Sequence, residues 1–212
     1  NRNWTRTVLL RVLTKDGWAV DIVRALDELD RRRKAEISFE PAVNQYADAA
    51  GAVTNLNVGS FDAGDWPSTV PDEAVIECRI GWPPGETRTE VRDQVREAVE
   101  SAVEADEWLT ENPPTLEWFG WNANPHHLAT DHEFAQLTKR NATAVCGADG
   151  EWTGGLAGLD ERFYVNYYDI PCPSVGPTGG RIHGADEYVD IDSLVEVAQI
   201  VALTAVDWCE TV

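Results

Sequence analysis

The chain has 212 residues, 43% of them apolar and 25% charged, a composition typical of a folded globular protein rather than a disordered one. With 37 acidic against 17 basic side chains, its formal net charge is −20, so its surface repels nucleic-acid phosphates. No apolar run reaches the roughly 18 residues of a membrane helix, and we expect neither nucleic acid nor membrane as a partner. The sequence begins at Asn1 and contains no methionine, which we interpret as a piece of a longer chain.

The acidic residues are spread along the whole sequence, whereas lysine occurs only at Lys15, Lys34 and Lys139. Dispersed acid with scarce lysine indicates a halophilic protein, because concentrated salt screens the self-repulsion of such a surface. The four cysteines are far apart and form no C-x-x-C pair, which argues against a zinc knuckle or a disulfide framework. We therefore expect buried thiols in a reducing, cytoplasmic protein.

Hydrophobic periodicity predicts six elements in the first part of the chain. In chain order they are a strand at 7–13, a helix at 18–33, strands at 53–61 and 74–82, a helix at 87–105 and a strand at 115–121. The order β-α-β-β-α-β predicts an antiparallel sheet with two helices on one face. We assign this α+β, ferredoxin-like arrangement to a domain at 1–120.

The pattern changes in the remaining part, 121–212. Asp131 is the expected N-cap of a helix at 132–146, short strands are predicted at 162–168 and 171–176, and a last helix begins at Asp192. This series has no opening strand of its own. It predicts the closing part of an α/β domain that is incomplete in this chain.

The segment 171–191, PCPSVGPTGGRIHGADEYVDI, is the best candidate for chemistry. Its glycines Gly179 and Gly180 allow a close backbone approach, and His183 follows them beside the carboxylates of Glu187 and Asp190. A neutral imidazole near carboxylates suits a zinc ligand with outer acceptors. The alternative is a half-solvated surface histidine.

GPTGGRIHGADEYV resembles the closing motif of the zinc metallopeptidases and amidohydrolases typified by acetylornithine deacetylase and succinyl-diaminopimelate desuccinylase. Upstream, NLNVGSFDAGDWPSTVPDEAVIECRIGWPPGET is similar to the signature of that family's lid, and DEWLTENPPTLEWFGW to the strand that leaves it. GLDERFYVNYYDIPCPSVGP is similar to the segment before the metal-binding histidine. These stretches occur in the family's order over nearly the whole chain.

The resemblance implies a β-α-β-β-α-β lid and a catalytic domain with two zinc ions, cobalt or manganese being alternatives. In the family, a metal-bound water that a Glu base deprotonates attacks an amide carbonyl. His183 matches the terminal histidine ligand. We assign Glu187 and Asp190 to ordering the loop of this histidine rather than to binding the metal. The family's other ligands and its base precede the lid, and this sequence has neither a His-x-Asp motif nor adjacent glutamates. The chain therefore corresponds to the lid plus the last part of the catalytic domain, and we expect it to be inactive alone.

Three positions are candidates for binding substrate. Arg79, beside the place where many members have an arginine, would bind a carboxylate as a bidentate fork, or else pairs with a nearby acid. Thr69 replaces an asparagine that often precedes Val-Pro in the family. Arg162 matches a polar position near the substrate carboxylate, with a charged loop residue as the alternative.

The sequence thus predicts part of a cytoplasmic deacylase or peptidase that cleaves an N-acyl amino acid or a small peptide, as in amino-acid metabolism, and forms a homodimer through the lid. One alternative is a non-catalytic dimerisation or binding module with a degenerate metal site. Another is a mononuclear metal protein that combines His183 with the group His126, His127, Asp131 and His132.

Overall fold

The computed structural model describes residues 6–13, 19–39, 53–120, 122–152, 158–182 and 184–209. The chain forms two compact units: the first contains the described residues up to Pro125, and the second contains those from His126 onwards except Gly158. In the part of the chain that the structure describes, no helix has the length and apolar character needed to span a bilayer.

The first unit contains a four-stranded sheet and three helices. Its elements are β1 (Arg6–Leu13), α1 (Ala19–Glu36), β2 (Asn55–Ala63), β3 (Glu73–Gly81), α2 (Arg88–Glu104), α3 (Glu107–Glu111) and β4 (Thr115–Phe119). The strand order is β2-β3-β1-β4, and every neighbouring pair is antiparallel. The six longer elements follow the order β-α-β-β-α-β, while the short helix α3 was not predicted.

The core of the first unit lies between the sheet and its helices. On β3, every second side chain is buried, from Ala74 through Ile76 and Cys78 to Ile80, because side chains alternate between the two faces of a strand. Helix α1 contributes Ile22, Leu26 and Leu29, and α2 contributes Val91, Val95 and Val99. Burial raises the pKa of the Cys78 thiol to about 12, so this thiol remains protonated.

Local polar contacts fix the ends of these elements. Thr87 and Glu90 form a reciprocal capping box at the start of α2, in which the Thr87 hydroxyl accepts from the Glu90 amide at 3.2 Å. Near the end of α1, the carboxylate of Asp30 accepts from the backbone amide of Leu56 at 2.7 Å and thereby ties β2 to the helix. Both contacts lie at chain positions where backbone groups would otherwise lack partners.

The second unit is mainly helical in its described residues. Its elements are α4 (Glu133–Cys146), α5 (Glu161–Tyr168), the two-residue strands β5 (Gly179–Gly180) and β6 (Tyr188–Val189), and α6 (Ile191–Cys209). Helix α4 packs against α6, where the side-chain amide of Asn141 donates to the hydroxyl of Thr204 at 3.2 Å and the carboxylate of Asp207 at 3.1 Å.

Four expectations for this region were wrong. The segment 162–168 is part of helix α5 and not a strand, and 171–176 has no strand pairing. The N-cap of α4 is His132, whose Nδ1 accepts from the Phe134 amide at 3.1 Å, rather than Asp131. Of the four cysteines only Cys78 is buried, since Cys172 is half-buried and the other two are exposed.

Candidate functional site

The segment that precedes α6 is held together as a small hairpin. Gly179 of β5 pairs with Val189 of β6, and Gly180 pairs with Tyr188. A Cβ atom on Gly180 would lie 2.8 Å from the Tyr188 ring, and one on Gly179 would lie 2.6 Å from the Tyr188 carbonyl oxygen. The close approach that both glycines permit is therefore made by β6 of the same hairpin.

Asp190 connects this hairpin to helix α6. Its carboxylate accepts from the Ser193 amide at 2.9 Å, and its own amide donates to the carbonyl of Thr178 at 2.8 Å. The hydroxyl of Ser193 in turn accepts from the Thr178 amide at 3.0 Å. Asp190 thus caps the first turn of α6 and closes the base of the hairpin.

The predicted metal ligand His183 lies outside the described residues. Of its neighbours in sequence, Glu187 is exposed, and Arg181 pairs with Asp186 at 3.4 Å. Arg181 and Asp186 both have positive φ, at 57° and 56°, which is uncommon for residues other than glycine. The described part of this loop is therefore a tight turn with mostly solvent-facing side chains.

Arg79 lies on the face of β3 opposite the buried core, in register with Thr7 on β1 and Asn57 on β2. It is half-buried, and its Nε is buried with no hydrogen-bond partner in the described structure. None of the ion pairs found among the described residues involves Arg79, so the alternative of an acidic neighbour receives no support there. Its guanidinium retains donors for an anion.

Thr69 is exposed in the turn between β2 and β3, where its amide donates to the carbonyl of Trp66 at 3.1 Å. Strand β3 begins at Glu73, and six residues separate that position from Arg79, or about 20 Å along the strand. The structure therefore places Thr69 and Arg79 towards opposite ends of β3 and does not bring them together within the first unit.

Arg162 lies in the first turn of α5 and is 8% exposed. Its Nη1 donates to the carbonyl of Leu159 at 2.5 Å and to the carboxylate of Asp160 at 3.1 Å, and its guanidinium carbon lies 4.2 Å from the centre of the Phe163 ring. These contacts fold the side chain back onto its own helix. The buried guanidinium of Arg162 therefore stabilises the start of α5 and also places a positive charge there.

A group of polar side chains around Arg162 was only partly anticipated from the sequence. Burial lowers the pKa of the half-buried His126, and the positive charges of Arg162 and His127 lower it further, whereas Glu161 raises it. Burial and the same Glu161 raise the pKa of Cys172. Glu161, which accepts from the hydroxyl of Ser174, is the member that sequence reasoning missed; its place in the first turn of a helix would have been the signal.

The described residues contain no group of three or more histidine, cysteine, aspartate or glutamate side chains arranged to hold a metal ion. His132 caps α4 instead of joining His126, and Asp131 is exposed. A two-ion centre needs several such ligands. The side chains in this part of the chain therefore do not fit a dinuclear site by themselves.

Comparison with known proteins finds a family model that matches part of the chain. Residues 19–107 match the family of peptidase dimerisation domains. In sequence, the chain is 25% identical over 214 residues to N-formyl-4-amino-5-aminomethyl-2-methylpyrimidine deformylase from Bacillus subtilis, with 89% of this chain and 44% of the relative covered. The chain thus spans less than half the length of this curated relative.

Solved structures share the fold over almost the whole chain. A dinuclear metal-binding peptidase of the M20 family from Bacillus subtilis superimposes with a TM-score of 0.65 at 18% identity, covering 98% of this chain and 50% of the other. A tripeptidase from Staphylococcus aureus superimposes with a TM-score of 0.62 at 16% identity, covering 94% and 50% respectively. At these identities the likeness shows the fold alone.

Proposed function

We propose, on the premise that residues 19–107 belong to the peptidase dimerisation domain family of the M20 metallopeptidases, that this chain is part of a metal-dependent hydrolase. The observation that carries the proposal is the shared fold: the superposition on a dinuclear metal-binding peptidase covers 98% of this chain, with a TM-score of 0.65. The substrate class we propose is an N-acyl amino acid or a small peptide, whose amide bond is hydrolysed.

Within this enzyme, residues 1–120 would form a ferredoxin-like lid and 121–212 the closing part of the catalytic domain. Arg79 would bind a substrate carboxylate, a role supported by its place on the sheet face opposite the core and by its Nε, which has no partner among the described residues; Thr69 would contribute from the turn. Arg162 would add positive charge beside His126. His183 would be one metal ligand, with Glu187 and Asp190 ordering its loop.

The metal centre would require ligands beyond those that the described residues offer. The side chains of the described residues do not form a two-ion site on their own. The general base and the remaining ligands would come from polypeptide like that in the unmatched half of the M20 relatives. We therefore propose that the 212-residue chain alone is inactive.

Hydrolysis assays test the proposed activity. Two proteins would be compared: the 212-residue chain, and the product of the whole reading frame that contains it, whatever its length. With N-formyl and N-acetyl amino acids and dipeptides, we expect turnover only by the second, abolished by a chelator and restored by zinc, cobalt or manganese. A second protein that neither binds metal nor hydrolyses any of these amides would instead support the non-catalytic dimerisation module.

Homodimerisation through the first unit is also proposed. Residues 19–107 contain the edge strand β2 but not the other edge strand, β4. The Leu56 amide donates to the carboxylate of Asp30, so this amide points away from β3 and marks the outward-facing side of β2. Phe61 of the same strand is 43% exposed. An edge strand with exposed apolar side chains is suited to pairing with a second copy across a two-fold axis.

A further inference from the structure

Helix α2 carries arginines at intervals of four residues, Arg88, Arg92 and Arg96, in a chain whose net charge is −20. Side chains four residues apart are neighbours on a helix, so these guanidinium groups follow one side of α2. Arg88 and Arg92 are half-buried next to the apolar seam of the helix, whereas Arg96 is exposed. The first two cations have therefore lost part of their hydration, which is costly unless an anion compensates for it.

The acidic side chains within 86–93 already have partners of their own. These pairs, in chain order, are Glu86 with Arg33, Glu90 with Thr87, and Asp93 with Arg96. None of the ion pairs found among the described residues includes Arg88 or Arg92. Their Nε atoms are buried and have no hydrogen-bond partner in the described structure. The part of the chain that the structure describes therefore does not supply a counter-charge for these two cations.

Neighbouring side chains hold both guanidinium groups in place. Nη2 of Arg88 donates to the side-chain oxygen of Asn124 at 3.1 Å. The guanidinium carbon of Arg92 lies 5.2 Å from the centre of the Trp118 ring on β4, a cation–π contact. A guanidinium has five N–H donors, so neither contact exhausts the capacity of its arginine. The two groups are thus oriented in advance for a ligand that accepts hydrogen bonds.

The position of Arg88 on the helix points to an anion as well. Arg88 is the first residue of α2, where the helix dipole is positive and disfavours a second positive charge. Anions bind at this end of a helix, because the dipole and the first backbone amides attract them. An anion held by Arg88 and Arg92 would compensate for the dipole and for both guanidinium groups at once.

The spacing of the two arginines favours phosphate over carboxylate. Cβ atoms four residues apart on a helix are separated by about 5–6 Å, so two guanidinium groups can converge on one ligand. A carboxylate has two oxygens in one plane and matches the fork of a single arginine, whereas the tetrahedral oxygens of a phosphate can be shared between two. Phosphates of a membrane or of nucleic acid are poor sources, because they would meet the acidic remainder of the surface.

We propose that Arg88 and Arg92 bind a phosphate group, either inorganic phosphate or the phosphate monoester of a small metabolite. Asn124 orients Arg88 for this contact, and Trp118 holds Arg92. The site lies on the helix side of the sheet, whereas Arg79 lies on the opposite face. This inference goes beyond the proposed hydrolysis and does not depend on it.

A phosphorus NMR titration of the 212-residue chain tests the binding. Inorganic phosphate is added at pH 8, where phosphate is mainly dianionic, in sodium chloride at a concentration that keeps the chain folded. We expect saturable binding to one site with a dissociation constant on the order of 1 mM. Arg88→Gln and Arg92→Gln should each weaken binding at least about tenfold, because each removes a charge-assisted hydrogen bond.

Arg96→Gln is the matched control, since it removes the same charge from the same helix but from an exposed side chain that already pairs with Asp93. It should bind phosphate like the wild type. Glycerol 3-phosphate distinguishes the two sources of the ligand: binding at least as tight as that of inorganic phosphate supports a metabolite, and binding of inorganic phosphate alone supports the free ion.

The proposal would be overturned by the absence of saturable binding, by wild-type affinity in both Arg88→Gln and Arg92→Gln, or by an equal loss in Arg96→Gln, which would indicate only long-range charge. Displacement of phosphate by an equal concentration of succinate would also overturn it, because the site would then prefer carboxylates. Melting curves establish that the variants are folded. If Arg92→Gln does not fold, Arg92→Lys, which keeps the charge but not the planar fork, replaces it and should also bind more weakly than the wild type.

Discussion

At the scale of single residues, Arg33 is the most consequential side chain of the first unit. It is 2% exposed, and its guanidinium binds both carboxylate oxygens of Glu86, at 2.8 and 2.9 Å, as well as Gln94 and the carbonyl of Gly81. This one side chain therefore connects the end of α1 to the end of β3 and to α2. Of the run RRRK at 31–34, only Arg33 is buried, because it continues the helical spacing of Leu26 and Leu29.

Replacement of Arg33 by Met should destabilise the first unit by about 3 kcal/mol, since Glu86 would remain partly buried without its partner. Urea unfolding monitored by tryptophan fluorescence measures this loss. The matched control is Arg31→Met, which removes only exposed pairs with Asp27 and Glu28 and should leave the unfolding midpoint nearly unchanged. Equal effects of the two variants would contradict the role given to Arg33.

His126 should titrate below the usual pKa of a histidine. Burial and the nearby Arg162 disfavour its protonation in the folded chain, whereas the unfolded chain has the ordinary value near 6.5. The unfolded state then binds more protons, so the contribution of His126 to stability is present above the unfolded pKa and is lost as the pH falls through the folded pKa.

NMR titration of the imidazole measures the pKa, and unfolding at neutral and acidic pH measures the linkage. We expect His126→Gln to reduce the loss of stability on acidification. A wild-type pKa above 6.5 would show that the carboxylate of Glu161 outweighs burial and Arg162 at this position.

At the scale of elements, β2 provides a test of the proposed dimer. The Leu56 amide faces outwards to Asp30, and Val58, two residues further along the strand, has the same orientation. Val58→Pro would remove an outward amide and thereby disrupt pairing with a second copy, while the ladder to β3 keeps its hydrogen bonds.

Sedimentation analysis should show a dimer for the wild type and a monomer for Val58→Pro. Glu117→Lys on the edge strand β4 is the control and should remain dimeric, and melting curves establish that both variants are folded. A dimer that survives Val58→Pro but not Glu117→Lys would move the interface to the other edge of the sheet.

Hydrophobic periodicity predicted the bounds of the six longer elements of the first unit to within a few residues. It did so because each helix or strand buries one side against the core, so its apolar residues recur at the period of that element. The Val91, Val95 and Val99 seam of α2 and the alternating residues of β3 both face one core. Such patterns are direct consequences of packing geometry. The short helix α3 was missed because five residues are too few to show a helical period.

The second unit was harder to predict because local contacts, not burial, decide its structure. The run RFYVNYY is rich in aromatic and β-branched residues, which favour strands, yet it forms α5 with Phe163 and Tyr167 stacked one turn apart at 6.2 Å. Asp169 ends the helix with a φ of 52°. Sequence patterns indicate the segment 171–191 and Arg162 as candidates for the site, but they do not indicate Glu161, because the stretch that follows it resembles a strand.

At the scale of the whole molecule, the net charge of −20 should make folding depend on salt. Raising the ionic strength from about 0.1 M to about 1 M shortens the screening length from about 10 Å to about 3 Å and removes much of the self-repulsion. We expect the melting temperature, followed by circular dichroism in sodium chloride, to rise across this range and the fold to be lost on dialysis into low salt. A melting curve that does not change with salt would contradict the halophilic interpretation.

The two units also differ in what they need for stability. The first has an apolar core between its sheet and helices, whereas the described part of the second has few buried hydrophobic side chains and exposes several apolar side chains of α6. This contrast is the one expected from the proposed division of the chain into a lid and part of a catalytic domain. The length of the relatives, about twice that of the matched region, is consistent with this division.

The most direct test of the account is the metal content of the protein purified from the whole reading frame, with and without His183→Ala. Elemental analysis should find two zinc ions per chain in the wild type, fewer in His183→Ala, and the wild-type content in the control variant His127→Ala. A protein without stoichiometric metal, or one whose metal content is the same after His183→Ala, would contradict the claim that this chain contributes to a dinuclear hydrolytic centre.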